Sequence, residues 1–305
     1  MHDWSKREKV QINKMIPPKR LLLSGGGIKV CAIVGAIKRL YEAKKLTAIK
    51  EACGVSAGAW LAFMLAIKVP IETIERLVSD LDFGVIRNLS AESVMGFPET
   101  FGLDDGSKFV NLLETIFRVV LKIDSGLTFA DMKTDVQFRC WATDLTMKSP
   151  REFSLKATPN VRIIDALRAT TAIPVYFTPF TDPITGNMLS DGGIQGNLAI
   201  HNLTDDERAE TWMIGFLNDD EKIGSTPTDI MGFMNSVFKC LIHSRHEDLL
   251  KEWNHHILRI PLEFPSWNFE ASREDRLKLI KQGYDATKEW LKAPPSRSIN
   301  RRHSF

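Results

Sequence analysis

Two short apolar segments near the start of the chain are each followed by a pattern typical of a helix. The first segment covers residues 20–24, and apolar side chains then recur at helical spacing as far as Glu42. The second covers residues 48–53, and an apolar helix is predicted to follow it as far as Ile67. This order predicts a βαβ unit, which requires parallel strands. The fold class we expect is therefore α/β, with a central, mostly parallel sheet flanked by helices.

Patterns further along the chain add helices and strands to this unit. Apolar residues at helical spacing follow Pro70 and resume at 109–120. The later predictions are strands at 136–142, 152–155 and 211–217, and helices at 161–169, 228–250 and 272–291. Ser272 and Asp275 are spaced as a capping box for the last helix.

Residues 82–106 show neither a helical period nor a strand period. The segment contains several Gly, Asp and Asn residues and one Pro, together with apolar residues that we expect to be exposed. These apolar residues are Phe83, Val94, Met95, Phe97 and Phe101. A long irregular segment of this character is typical of a lid or binding loop, so we predict a mobile apolar rim over the functional site.

The excess positive charge of the chain lies at its two ends. The first 20 residues hold six basic and two acidic side chains, and residues 288–305 hold five basic and one acidic, whereas the whole chain has a net charge of only +2. We predict a basic leader at 1–19, one folded domain at 20–291 and a basic, disordered tail at 292–305. The ends are interpreted either as solvated termini or as segments attracted to anionic lipid, by about 1 kcal/mol per basic residue.

Composition argues against several classes of protein. The body of the chain offers no positive stripe, so nucleic-acid binding is not expected. Cys31, Cys53, Cys140 and Cys240 are widely spaced, without a CxxC pair or a zinc-like cluster. No apolar signal region stands near the N-terminus, and the longest apolar run, at 57–67, is too short to span a bilayer. We expect free thiols, no metal, no cofactor, and an intracellular location, either cytoplasmic or peripheral at a membrane.

The strongest chemical signal is the sequence Gly54-Val55-Ser56-Ala57-Gly58, between a predicted strand and a predicted helix. This G-x-S-x-G pattern is typical of a nucleophile elbow, in which glycines permit a sharp turn that presents the serine hydroxyl. The following helix points its N-terminal N–H groups at the serine and favours an anion there. Outside this context, the pattern would indicate only a helix that begins with small residues.

Two further glycine patterns are also candidates for functional sites. Gly25-Gly26-Gly27 follows the first predicted strand, where successive N–H groups either converge on an anion or form a plain tight turn. Val30 stands where a G-x-G-x-x-G pattern needs its third glycine, so dinucleotide binding is not indicated. Asp191-Gly192-Gly193 is the third pattern, and taken alone such a triplet is usually a turn.

In this order the three motifs resemble those of the patatin-like phospholipases, which share a glycine-rich oxyanion segment, a G-x-S-x-G serine and an Asp-Gly-Gly/Ala aspartate. The resemblance extends to the opening strand and helix at 22–41, to a hairpin at 142–153 and to the stretch 168–174, and covers residues 20–217. It implies a three-layer sandwich and a phospholipase A type of activity on lipid acyl esters.

The resemblance also implies a role for each motif residue. Ser56 corresponds to the nucleophile and Asp191 to its base, and the N–H groups of Gly25, Gly26 and Gly27 to the oxyanion hole. The supporting positions are Lys29, where the family has Arg or Lys, and the turn glycines Gly54, Gly58, Gly192 and Gly193. Val30 departs from the family, which usually has Gly there. In the implied mechanism Asp191 accepts the hydroxyl proton of Ser56, an acyl-enzyme forms and water hydrolyses it, so we expect an apolar setting that raises the pKa of Asp191.

Two other functions are consistent with the motifs. An α/β-hydrolase with a Ser-Asp-His triad also has a G-x-S-x-G elbow, and six histidines follow the aspartate: His201, His243, His246, His255, His256 and His303. A non-catalytic lipid-binding or regulatory protein would keep the same fold. The partner we expect is a lipid substrate, with peripheral membrane contact; head group, acyl position and oligomeric state are not predicted.

Overall fold

The computed structural model describes residues 17–217 and 247–292, except 267 and 269, and a few single residues between these ranges. Most of the predicted leader, the predicted tail beyond 292 and most of the predicted helix at 228–250 lie outside the described residues. The two interpretations of the basic ends therefore stay predictions.

The strands agree closely with the predicted ones where the apolar pattern is strong. In chain order they are β1 (Arg20–Leu23), β2 (Glu51–Val55), β3 (Gly102–Asp104), β4 (Gln137–Asp144), β5 (Ser149–Ser154), β6 (Val175–Phe177), β7 (Phe180–Thr181), β8 (Met188–Ser190), β9 (Thr211–Leu217) and β10 (Ile257–Pro261). Strand β9 has the predicted bounds.

Among the described residues, eight of these strands form one sheet in the order β10-β9-β1-β2-β4-β8-β7, with β5 also paired to β4. The five strands from β10 to β4 are parallel, and β5, β7 and β8 are antiparallel additions. The mostly parallel α/β sheet predicted from the βαβ pattern is confirmed. Strands β3 and β6 form a separate parallel pair.

The helices that follow strong apolar patterns are also confirmed. The α-helices are α1 (Val30–Glu42), α2 (Ala57–Ala66), α3 (Ile71–Asp80), α4 (Ala91–Met95), α5 (Phe97–Thr100), α6 (Ser107–Thr115), α7 (Ile163–Thr170), α8 (Asp205–Ala209), α9 (Glu247–Glu252) and α10 (Arg273–Trp290). Ser272 and Asp275 form the predicted capping box of α10. Within the described part of the chain, no helix is long and apolar enough to cross a bilayer.

The central strands are buried on both faces, which gives three layers. Leu21 and Leu23 of β1 pack into a core that includes α1, α2, α7 and α10, whereas Leu22 packs into a second core on the opposite face. The second core includes Ile200, Leu203 and residues of α9. Alternate residues of one strand thus enter different layers, because side chains of a strand alternate between its faces.

Two features differ from the predictions. The segment 82–106 is not irregular, because it contains a 3₁₀ turn (Phe83–Ile86), the short helices α4 and α5, and β3. Phe83 and Phe97 are half-buried rather than exposed. After α6 the chain continues as a π-helix, so the predicted helical spacing fails there and Val120 is turned toward solvent.

Candidate active site

Ser56 and Asp191 meet because two strands approach each other end to end along β4. Strand β5 occupies one edge of β4, so β2 and β8 share the other edge. The pairing of β2 ends at Trp141, and that of β8 ends at Thr143, from the opposite direction. Ser56 follows β2 and Asp191 follows β8. Ala142 is therefore the residue of β4 that lies between the two strand ends.

The hydroxyl of Ser56 donates a hydrogen bond to the Asp191 carboxylate, with Oγ 2.7 Å from Oδ2. The other carboxylate oxygen of Asp191 accepts from the Gly193 N–H at 2.7 Å. Thr143 Oγ1 donates to the carbonyl oxygen of Asp191 at 2.9 Å and fixes its backbone. Ser56 and Asp191 are 6% and 5% exposed, so the pair is largely withdrawn from water.

Burial also sets the protonation of this carboxyl group. It raises the pKa of Asp191 to about 6, because the charged form loses hydration, while the hydrogen bonds from Ser56 and Gly193 oppose the shift. The expected direction of the shift is thus present, and Asp191 is a stronger base than an exposed aspartate.

The turn at Ser56 needs an unusual backbone and close packing. Ser56 has φ 51° and ψ −133°, a backbone conformation that residues other than glycine rarely adopt. A Cβ at Gly54 would lie 2.7 Å from the backbone of Gly58, and one at Gly58 would lie 2.4 Å from the carbonyl oxygen of Ser24. The two glycines therefore let α2 start directly against the ends of β1 and β2.

Thr170 is a site residue to which the sequence assigned no role. Its side chain is fully buried at the end of α7, and its Oγ1 accepts from the Ser56 N–H at 2.9 Å. The same hydroxyl donates to the carbonyl oxygen of Trp141 at 2.5 Å. Thr170 thus ties the strained turn to β4. It lies in the family-like stretch 168–174, but nothing local in that stretch marks a contact with a residue 114 positions away.

The glycine loop, Gly25 to Gly27, holds the three N–H groups predicted for the oxyanion hole. One of them is already hydrogen-bonded within the protein, and two are not within the part of the chain that the structure describes. The Gly25 N–H donates to the carbonyl oxygen of Asn197 at 2.9 Å and is engaged there. The N–H groups of Gly26 and Gly27 have no hydrogen-bond partner among the described residues. Asn197 was missed by the sequence patterns, because a backbone carbonyl carries no sequence signal.

Both Gly26 and Gly27 require glycine. Gly26 has φ 149° and Gly27 has φ 54°, values that other residues rarely adopt. A Cβ at Gly26 would lie 2.6 Å from the Phe216 ring, and one at Gly27 would lie 2.1 Å from the carbonyl oxygen of Ser266.

Lys29, just before α1, and Val30, its first residue, are both positions where a side chain is accommodated. Lys29 is buried, with Nζ 5.7 Å from the centre of the Phe216 ring. Val30 has helical angles (φ −53°, ψ −26°), so a side chain is allowed where the family usually has Gly. The departure at Val30 therefore leaves the turn undistorted.

An apolar pocket opens beside the serine. Its empty volume, including the part open to solvent, is about 780 Å³, and Ser56, Gly27 and Val30 contribute to its wall. The rest of the wall is almost entirely apolar and includes Trp60, Phe83, Ile86, Phe109, Ile173 and Phe177. Phe83 and Ile86 belong to the predicted rim segment, so that segment does border the site.

The arrangement differs from a Ser-His-Asp triad, which needs an imidazole between the hydroxyl and the carboxylate. Here the hydroxyl donates directly to Asp191. Nδ1 of His256 lies 2.8 Å from the carbonyl oxygen of Thr211, at the amino end of β9 and away from the serine. His243, His246 and His303 lie outside the described residues.

Nothing in the described chain suggests a metal centre. No group of three or more His, Cys, Asp or Glu side chains in that part of the chain has the spacing of a metal site. Cys31, Cys53 and Cys140 are free and buried, and burial raises the pKa of each thiol. Cys240 lies outside the described residues.

Solved structures with the same fold include VipD from Legionella pneumophila, with a TM-score of 0.57 and 19% identity over 91% of this chain and 67% of that one. ExoU in the heterodimeric ExoU-SpcU complex from the type III secretion system of Pseudomonas aeruginosa has a TM-score of 0.50 and 17% identity over 92% of this chain and 52% of that one. The chain thus spans about half the length of the ExoU chain.

Sequence relatives occur in viruses. An uncharacterized protein of Acanthamoeba polyphaga mimivirus is 31% identical over 209 residues, which is 68% of each protein. A probable lipid hydrolase of Invertebrate iridescent virus 6 is 25% identical over 206 residues, which is 64% of this chain and 68% of that protein. A family model described as patatin-like phospholipase matches residues 21–204, more than half of the chain. The chain therefore belongs to the patatin-like phospholipase family.

Proposed function

We propose that the chain is a serine acyl hydrolase that cleaves acyl esters of phospholipids or related lipids. Membership of the family and the probable lipid hydrolase among its relatives support lipid hydrolysis. The observation that carries the catalytic assignment is the 2.7 Å hydrogen bond from Ser56 to a buried Asp191 beside an apolar pocket.

In this proposal Ser56 Oγ attacks the ester carbonyl carbon while Asp191 accepts the hydroxyl proton. The N–H groups of Gly26 and Gly27 stabilise the tetrahedral oxyanion, since the Gly25 N–H is engaged by Asn197. Asp191 then returns the proton to the departing alcohol, which leaves an acyl-enzyme on Ser56. Asp191 then takes a proton from water, whose oxygen attacks this ester; the bond to Oγ breaks, the fatty acid is released, and Asp191 returns the proton to Ser56 Oγ.

The apolar pocket supports the choice of substrate. Its wall offers the ester little beyond Ser56 and the glycine loop, so the remaining space suits a hydrocarbon chain.

The test is hydrolysis of a panel of lipids by the parent protein and by Ser56→Ala and Asp191→Asn. We expect both substitutions to abolish fatty acid release. The matched controls are Ser79→Ala and Asp144→Asn, which alter a buried hydroxyl and a buried carboxylate outside the dyad. Release of fatty acid by Ser56→Ala at the parental rate would contradict the proposal, and the absence of release by the parent would favour a non-catalytic lipid-binding protein.

A further inference from the structure

Two hairpin turns project beyond the sheet at the end where the serine lies. The turn at 145–148 joins β4 to β5, and the turn at 182–187 joins β7 to β8. Both lie past the carboxyl end of β4, because β8 begins where β4 ends and runs back along it. The turns and the first residue of β8 carry exposed apolar residues, which we call the tip group: Leu145 (39% exposed), Met147 (67%), Ile184 (57%) and Met188 (39%).

A second set of exposed apolar residues lies on the segment that borders the pocket. This rim group consists of Val85 (52% exposed), Leu89 (52%), Val94 (58%), Met95 (73%) and Phe101 (53%). The same segment sends Phe83 and Ile86 into the wall of the pocket. The rim group is therefore continuous in the chain with the surface proposed to hold the acyl chain.

The opposite end of the sheet has a different character. Near the amino ends of β1, β2 and β4, Arg20 and Arg139 pair with Glu51 and Glu207. Tyr41, in the last turn of α1, is an exposed large side chain on that side, since α1 starts at the glycine loop and runs back along the sheet. Of the 14 large apolar residues that are exposed in the described chain, nine belong to the tip and rim groups. Among the others, Tyr41 and Leu155 lie at the opposite end of the sheet, and Val119 and Val120 lie on the π-helix.

We propose that the tip group and the rim group together form a surface that inserts into a lipid–water interface and presents the pocket to it. The inference rests on the proposed function, because a pocket for acyl chains must receive them from aggregated lipid. Exposed apolar surface marks interaction sites, and the rim group continues along the chain into the wall of an apolar pocket through Phe83 and Ile86, while the tip group lies at the same end of the sheet as Ser56.

The charges around the rim group select the kind of lipid surface. Asp82, Glu92, Glu99 and Asp105 are exposed in or beside it. The basic side chains there are Arg87, which pairs with Glu270, and Lys108, and the turn of the tip group adds the exposed Lys148, so carboxylates still outnumber basic groups when Glu270 is included. An anionic membrane would be repelled by this excess of carboxylates, so the favoured occupant is a zwitterionic phospholipid surface held by apolar insertion and insensitive to salt.

The test measures flotation of the full chain with phosphatidylcholine vesicles, using the Ser56→Ala background so that lipid is not consumed. One variant carries Met95→Ser and Phe101→Ser, and another carries Met147→Ser and Ile184→Ser. We expect each pair to weaken the vesicle partition coefficient at least about tenfold, or about 1.4 kcal/mol, at both low and high salt. The matched control Tyr41→Ser removes an exposed large side chain at the other end and should bind as the parent does.

Failure of this inference is separable from failure of the proposed function. With Ser56 intact, both pairs should hydrolyse a short soluble ester at the parental rate, because neither pair lines the pocket. Parental vesicle binding by both pairs would overturn the inference while leaving the hydrolase intact. If the pairs instead convert a dimer to a monomer in sedimentation and still bind vesicles, the surface serves a second copy of the chain and the inference is also overturned.

Discussion

At the scale of single residues, the peptide N–H of Ser56 has a partner that no neighbouring strand supplies. The Thr170 hydroxyl accepts that hydrogen bond and donates its own hydrogen bond to the carbonyl oxygen of Trp141. Because the turn at Ser56 is strained, we infer that Thr170 is a positioning residue that holds Oγ in line with Asp191.

Thr170→Val should remove the hydrogen bonds that Thr170 makes with the Ser56 N–H and the carbonyl oxygen of Trp141. Leaving a buried polar group unpaired in this way lowers the free energy of unfolding by about 1–3 kcal/mol. We expect kcat to fall by at least about tenfold with little change in KM, and Thr170→Ser to restore it. The control is Thr158→Val, because the Thr158 hydroxyl also accepts from an amide and donates to a carbonyl, both of Ser154 and outside the site. Equal losses of kcat in the two valine variants would show that Thr170 acts only through stability.

The protonation of Asp191 predicts how activity depends on pH. The base must be ionised, and the pKa of Asp191 is raised to about 6 by burial. We therefore expect kcat/KM to rise with pH on an acid limb centred near 6 and to level off above it. An acid limb centred near 4, the range of an exposed aspartate, would contradict the buried setting.

The raised pKa of Asp191 also predicts that the stability of the folded protein falls as the pH rises, whereas its activity increases. Between the ordinary value of 3.8 and about 6, the folded protein binds a proton that the unfolded chain has lost. The stabilisation from protonated Asp191 is complete below about 3.8 and is lost as the pH rises through about 6. Asp191→Asn, which cannot ionise, should therefore gain stability relative to the parent between pH 4 and pH 7, by up to about 3 kcal/mol. Urea unfolding at both pH values measures this difference, and an unchanged difference would count against the raised pKa.

At the scale of elements, helices α1 and α10 cross at two glycines. A Cβ at Gly35 would lie 1.8 Å from the carbonyl oxygen of Ile280, and one at Gly283 would lie 1.8 Å from that of Ala32. The backbones are thus in direct contact. Because α1 begins at the glycine loop, this contact links the C-terminal helix to the element that carries the loop.

Gly283→Ala should force the two helices apart and destabilise the protein by about 1–3 kcal/mol, which thermal unfolding would record as a lower Tm. The control is Gly126→Ala, whose Cβ would make only ordinary contact with the Asp124 side chain, 3.4 Å away. The same melting temperature in both variants would mean that the helices separate without loss.

Long helices are visible in the sequence as local patterns, whereas short elements are not. Helices α1, α3 and α10 are predictable because each spans ten or more residues with a clear apolar period or a cap, and α2 is predictable as a ten-residue run that is apolar on all sides. Helices α4 and α5 have five and four residues, too few to show a period, and β3 is defined by its pairing with β6, which lies about 70 positions away. The segment 82–106 therefore could not be resolved from local patterns.

At the scale of the whole molecule, the patterns predicted a parallel sheet but not the order of its strands. Strand β9 comes late in the chain and yet lies beside β1, because Leu21 pairs in register with Trp212 as well as with Ala52, and β10 pairs with the outer edge of β9. Such contacts are nonlocal and leave no periodic trace. Motif identity singles out Ser56 and Asp191 as a candidate pair, whereas the end-to-end approach of β2 and β8 that brings them together is seen only in the structure.

The most direct test of the account is to map where a fluorophosphonate probe reacts with the full chain and how fast. We predict that peptide mass mapping finds the label on Ser56, and that Asp191→Asn slows labelling by at least about a hundredfold, the contribution expected of a positioned base. Labelling at another residue, or an equal rate in Asp191→Asn, would contradict the claim that Asp191 activates Ser56.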